Sequence, residues 1–223
     1  MALIQTNIHG NPNVGLYGYI TDTYGIVGLE VPEDLVQRMQ KIFHVPLYHM
    51  NICGTSLVGV FLTGNSTTLL VPPIILEHEQ KLLDRHKIKY TIIPTTLTAL
   101  GNNILCNNNV ALVNPEFSAN IKKTLRQALN VPLKPGTIAG VGTVGSQAAL
   151  NCAGCFINQE MTDEEEAYLA ELIKIPLCRG TINMGGPQIR SGLLANDHGM
   201  VISTHSSGIE AMEAESCMGL TQK

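Results

Sequence analysis

No stretch of this chain stays apolar for the roughly 18 residues that a membrane-spanning helix needs. The opening Met1-Ala2-Leu3-Ile4 has neither a basic segment nor a long apolar one, so no secretory leader is expected. Positive charge is not in surplus: 14 Lys+Arg face 18 Asp+Glu, a net charge of −4. A protein that grips nucleic acid regardless of sequence needs many Lys and Arg contacts to phosphate, and that class is disfavoured. The balance leaves room for a basic protein partner. The 6 cysteines are scattered, and with no sign of secretion they read as reduced thiols. No linker or low-complexity segment interrupts the chain.

What the chain does have is a repeat. The stretch from Gly54 to Pro73 holds two apolar runs, Leu57 to Leu62 and Leu69 to Val71, around a polar turn at Gly64-Asn65. It reads as a hairpin stopped by Pro72-Pro73. Copies of the turn begin near Asp22, Asn65, Asn107, Cys152 and Asn196, at steps of 43, 42, 45 and 44 residues. Val45-Pro46-Leu47, Val131-Pro132-Leu133 and Ile175-Pro176-Leu177 keep the same beat. So do Gly136-Thr137-Ile138 and Gly180-Thr181-Ile182. A fixed period of this size signals a solenoid, a propeller or a ring of units. Five such units fill the chain, approximately 1–49, 50–93, 94–136, 137–180 and 181–223. None is large enough to bury its own core, so they must share one.

Within each unit the pattern is strand, strand, helix, strand. Val14 to Ile20 reads as the first strand of unit one, and Leu35, Val36, Met39, Ile42 and Phe43 recur at helical spacing. In unit three Pro115 fits the first helical position after Asn114 as cap. Units four and five carry capping boxes, Thr162 with Glu165 and Ser207 with Glu210. The helix of unit two, Leu76 to His86, is less clear. Short closing strands follow at Val45–Tyr48, Ile88–Ile93, Val131–Leu133 and Ile175–Leu177. Leu3-Ile4 is the remaining strand, and in a closed ring it pairs with the last unit. The expected class is α/β, a ring with its helices outside a sheet-lined centre.

Few residues suggest chemistry. Gly140-Val141-Gly142-Thr143-Val144-Gly145 matches G-x-G-x-x-G. A dinucleotide site needs that loop after a strand and opening a helix; here it leads into the first strand of unit four, and its last glycine continues the series Gly59, Gly101, Gly145. Cys152-Ala153-Gly154-Cys155 has no second ligand pair for zinc and sits in a hairpin turn rather than at a helix start, so two structural thiols are expected. Glu77-His78-Glu79 reads as a solvated helix face. Rings of five units include guanidine hydrolases with a late cysteine nucleophile. Cys217 is late, but no His-x-Asp or His-x-Glu accompanies it on a strand to act as base.

The wording of the units resembles the archaeal and eukaryotic translation initiation factor 6 family. It is carried by Ser56-Leu57-Val58-Gly59, Leu69-Leu70-Val71-Pro72, Thr98-Ala99-Leu100-Gly101-Asn102, Val110-Ala111-Leu112-Val113-Asn114-Pro115, Thr143-Val144-Gly145-Ser146 and Gly180-Thr181-Ile182-Asn183. The resemblance implies a pentein fold, a five-bladed pseudo-fivefold α/β propeller in a single domain. It implies a protein that is not an enzyme and has no cofactor and no metal. Family members bind the joining face of the large ribosomal subunit, on a ribosomal protein near the sarcin–ricin loop, and block the small subunit. In eukaryotes they also serve large-subunit biogenesis and are released by a GTPase and its cofactor protein. The resemblance further implies a monomer without a membrane partner, cytoplasmic and, in eukaryotes, also nuclear or nucleolar. Two departures stand out: Phe156-Ile157-Asn158-Gln159 replaces a His-Pro pair, and Val60 stands where eukaryotic members tend to carry a basic residue. Against this reading stand a hydrolase using Cys217 and a general protein-binding ring.

In a ring of repeats, equivalent positions form a circle at one end of the axis. The residues beside each hairpin-strand glycine are therefore the expected binding face: Val14, Leu16, Val60, Asn102, Asn103, Ser146, Gln147 and Arg190. Asn102 leads, since a short amide at a strand end can pair with a partner's backbone. The partner should be mainly protein, because these positions hold one basic residue.

Overall fold

A computed structural model describes residues 2–221. Its strands form five separate three-stranded sheets. Four have the same make-up: Gly18–Ile20, Gly25–Val27 and Leu47–His49; Thr63–Gly64, Leu69–Val71 and Tyr90–Ile92; Ile104–Cys106, Ala111–Val113 and Leu133–Pro135; Ala148–Leu150, Cys155–Asn158 and Leu177–Gly180. In each, the first two strands pair antiparallel and the third joins the second in parallel. The fifth sheet takes Leu193–Ala195 and Met200–Ser203 from the end of the chain. Its parallel third strand is Leu3–Thr6, in register Leu3 with Met200 through Thr6 with Ser203. The N-terminal strand therefore seals the ring, as its position ahead of a complete first unit requires.

The parallel crossover in each unit is a helix, because a parallel partner cannot be reached through a tight turn. Glu33–Phe43 buries Leu35, Val36, Met39 and Phe43, and Ala119–Leu129 buries Ile121, Leu125 and Leu129. Both capping boxes form, at Thr162 with Glu165 and at Ser207 with Glu210. Unit two's helix is real, at Glu77–Arg85. The start of the unit-three helix is corrected. Asn114 Nδ2 donates to the Asn103 side-chain oxygen, and its own oxygen accepts from the Glu116 N–H. It thus makes a turn, Pro115 stays outside, and Ser118 is the cap.

Two further expectations change. The run Leu57 to Leu62 is not a strand: Val58–Phe61 is one helical turn, with the strand confined to Thr63–Gly64. Val14–Tyr17, Leu100–Asn103 and Ile189–Gly192 repeat the device. An unbroken apolar run has no period-two alternation to distinguish a buried strand from a buried helical turn. The closing strands begin after the prolines at 46, 132 and 176. Each proline lacks an N–H but offers its carbonyl to Gly25, Ala111 and Cys155 respectively.

Among the described residues no common core fills the centre. Instead five hydrophobic clusters lie at the seams, each built from one unit's helix and its neighbour's sheet. Leu35, Val36, Met39 and Phe43 of unit one pack with Leu194 and Val201 of unit five and with Ile4. Tyr19 and Ile26 of unit one pack with Val58, Leu69 and Leu83 of unit two. Leu70 joins the unit-three cluster, Leu105 and Leu112 join that of unit four, and Phe156 joins that of unit five. Sharing is thus pairwise, and closing the ring gives every helix a neighbouring sheet to pack on. The cysteines also need correction. Cys178 and Cys217 are joined in a disulfide that ties the last helix to the closing strand of unit four, while Cys53, Cys106, Cys152 and Cys155 are free.

Candidate binding face

Strand direction gives the ring two distinct ends. First strands run away from the helical turns toward the hairpin turns, and second and third strands run back. The five long helices therefore start, and the chain crosses between units, at the end that carries the helical turns. There the sequence repeats one residue. Gly15, Gly59, Gly101 and Gly145 hold equivalent places, and a Cβ on each would meet a backbone oxygen of the preceding unit. That oxygen belongs to Arg190 at 1.8 Å, Gly15 at 2.2 Å, Gly59 at 2.1 Å and Gly101 at 2.2 Å respectively. Only glycine permits this approach. The G-x-G-x-x-G match is explained the same way: Gly145 serves the ring contact, and Gly142 faces the Asn114 side chain.

The expected face residues divide sharply. Val14, Asn103 and Gln147 are buried. Asn103 donates to the Ala99 carbonyl and accepts from Asn114, and the Gln147 oxygen accepts from Asn158. Arg190 occupies the glycine position of the fifth unit, and its guanidinium lies within 6.0 Å of the Tyr19 ring centroid, lining the central cavity. Leu16, Val60, Asn102 and Ser146 remain half-exposed, one per unit. The fifth member of that circle is Ser191, also half-exposed. Sequence reading missed it, although the step from Ser146 is again one period.

Around this circle stand apolar side chains. Leu29, Ile74, Leu76, Ile92, Val141, Met184 and Ile209 are all exposed, and each lies at a second- or third-strand end, a helix start or a crossing between units. The crossings are tight turns with positive φ at Cys53-Gly54, Ala139-Gly140 and Met184-Gly185. Each is held by a glutamate from its own unit's helix. Glu79 accepts from the Cys53, Gly54 and Leu76 N–H groups. Glu165 accepts from Ala139, Gly140 and Thr162, and Glu210 from Met184, Gly185 and Ser207. Burial alone would raise the Glu165 and Glu210 carboxyls, but these N–H donors and the Thr137 and Thr181 hydroxyls hold both below the ordinary value. Glu79 is thus a structural anchor and not the solvated face expected of it.

At the opposite end the hairpin turns converge. Asn65 donates to the Leu129 carbonyl, Asn151 to Asn196 and Met218, and Asn196 to Thr21 and Phe43. Each bond crosses to the next unit. Donor atoms of Asp22, Cys152 and Asp197 approach one another here. The carboxylates, however, already accept from Asn108, Asp197 and Cys152. Burial and the two aspartates push the Cys152 thiol up to about 12, and burial takes Cys155 equally high. These are protonated thiols, the opposite of an activated nucleophile. Cys217, bonded to Cys178, is buried in the last seam.

A family model described as the eIF-6 family matches residues 3–217. The translation initiation factor 6 of Thermococcus onnurineus is 34% identical, the alignment covering 98% of this chain and 99% of that protein. The corresponding protein of Pyrococcus abyssi is 32% identical over 99% and 100%. That of Pyrobaculum arsenaticum is 30% identical over 97% and 99%. The chain belongs to the eIF-6 family, and its five sheets form the pseudo-fivefold, pentein-like ring of that fold.

Proposed function

We propose that this member of the eIF-6 family is a steric anti-association factor that docks on the large ribosomal subunit through the glycine end of its ring. The observation that carries the reading is the circle of Leu16, Val60, Asn102, Ser146 and Ser191, ringed at this end of the axis by seven of the exposed large apolar side chains, Tyr168 and Met212 lying on helices instead. An apolar surface of this kind, on a chain of net charge −4, suits a protein surface better than phosphate. With Arg190 turned inward, the circle carries no basic side chain. The partner is accordingly a ribosomal protein of the joining face near the sarcin–ricin loop. No chemical step is needed, since occupancy alone excludes the small subunit. A hydrolase reading would require Cys217 as a free thiolate with a base in reach.

Sedimentation with purified large subunits tests this. Asn102→Ala removes an amide from the circle and is expected to weaken binding about five- to a hundredfold, the effect of roughly 1–3 kcal/mol, with an unchanged Tm. Glu171→Ala, exposed near the other end of the unit-four helix, is the neutral control. Equal losses in both variants, or no pelleting of the wild type at moderate salt, would reject the face or the function.

A further inference from the structure

Two polar groups on the wall of the axial cavity are buried without a hydrogen-bond partner: Arg190 Nε and the Tyr19 hydroxyl. Tyr24, beside Tyr19 with ring centroids 6.3 Å apart, gives its proton to the Asn65 carbonyl. The neighbouring Cys106 thiol donates to the Gly64 carbonyl. The guanidinium takes part in none of the ion pairs among the described residues. Asp22 lines the far mouth of the cavity, but its oxygens accept from Asn108 and Asp197. Four units place glycine at this level of the ring, so the fifth has introduced a charge where the fold requires none.

Arg190 as a whole is half-buried and its Nε is fully enclosed, and a charge partly withdrawn from water with no counter-charge is costly. Water can satisfy a donor, but it cannot cancel the charge. We propose that the axial cavity binds one small monovalent anion, of halide size, between the Arg190 guanidinium and the Tyr19 hydroxyl. The cavity volume of about 70 Å³ is several times the roughly 10–15 Å³ that one water needs. A divalent ion would over-neutralise the single guanidinium and face Asp22 along the axis. Burial also pulls Arg190 below its ordinary pKa, the direction expected of a cation whose partner is missing.

The test compares melting of the intact protein in sodium bromide and in sodium gluconate at equal ionic strength, gluconate being too large for the cavity. Wild type should gain a few degrees in bromide, saturably, as linkage requires. Arg190→Met and Tyr19→Phe should each lose most of that increment, and anomalous diffraction should place bromide beside the guanidinium. An undiminished increment in Arg190→Met, no saturable increment in wild type, or water alone in the cavity would overturn the proposal. Bromide seen only at molar concentration would be an adventitious ion only and would overturn it equally. If Arg190→Met does not fold, Tyr19→Phe, which keeps the ring and removes one oxygen, decides the matter.

Discussion

The two ends of the ring join the same five units by opposite means. At the glycine end, contact at four of the five seams depends on an atom that is absent: a Cβ at Gly59, Gly101 or Gly145 would stand 2.1–2.2 Å from a carbonyl oxygen. At the hairpin-turn end, contact depends on side chains that are present, the asparagines at 65, 107, 151 and 196 reaching across the seams. A steric join has no partial form, whereas a polar join can be strong at one seam and weak at the next. The comparison teaches where the molecule tolerates change. It also explains why the glycine end can serve as a face: the units join through backbone there, so the neighbouring side chains, Leu16 through Ser191, stay half-exposed and reach no further than their own turns and the adjoining core.

The most damaging way to break the comparison is to add one carbon. Gly145→Ala places a Cβ 2.2 Å from Gly101 O and 2.6 Å from Ile104 O. Both are backbone atoms that no rotamer can move, so about 4 kcal/mol of destabilisation is expected. Next comes Asn196→Ala. It strands the Thr21 and Phe43 carbonyls at the seam where the chain's end meets its start, and also removes the acceptor of the His198 and Gly199 N–H groups. About 3 kcal/mol is expected. Thermal melting ranks the two; a milder effect from Gly145→Ala than from Asn196→Ala would invert the distinction between steric and polar joins.

The glutamate clamps sharpen it further, because they put a titratable polar join at the steric end. Glu210→Ala should cost about 2 kcal/mol through three lost N–H acceptances. The Glu165 and Glu210 carboxyls are held below the ordinary value of 4.5. Their stabilisation is therefore complete above about that pH and is lost as pH falls through the depressed folded-state values. Wild type should melt progressively earlier below pH 4.5, and Glu210→Gln should flatten part of that slope. An identical pH profile in the two proteins would mean that the carboxylate charge contributes nothing to the clamp.

Much of this architecture was legible because it is periodic. The turn asparagines, the Val-Pro pairs and the glycines each repeat, and only a ring closes five such units with Leu3–Thr6 left to pair with Met200–Ser203. What escaped reading was whatever depends on distance across the ring. The helical turn at Val58–Phe61 looks like a strand because all its side chains are apolar. Glu165 shows in sequence only as the partner of Thr162; its hold on Ala139 and Gly140, 26 and 25 residues away, has no local signal. The bond between Cys178 and Cys217, 39 residues apart, likewise has none. Arg190 was assigned to the outer face because its position repeats, yet it is the one member of the series with a side chain, and the cavity receives it.

The smallest effect expected belongs to Asn107, and it tests whether the polar end is graded as argued. Asn151 and Asn196 each bind both the next unit's turn and the end of its helix. Asn65 binds a helix end alone, at 2.9 Å. Asn107 reaches only the Asn151 carbonyl, at 3.3 Å, from a half-buried site. Its oxygen still caps its own turn, accepting from the Asn109 and Val110 N–H groups. Water can replace a partner at a half-exposed position, so the penalty for an unsatisfied group is small there. Asn107→Ala should cost about 1 kcal/mol and lower Tm by roughly 2–4 °C. Asn107→Asp keeps the turn acceptor but sets an anionic oxygen against the Asn151 carbonyl, so it should cost at least as much as the alanine change. Comparable losses from Asn107→Ala and Asn196→Ala would show that the turns act locally and that the seams are held elsewhere.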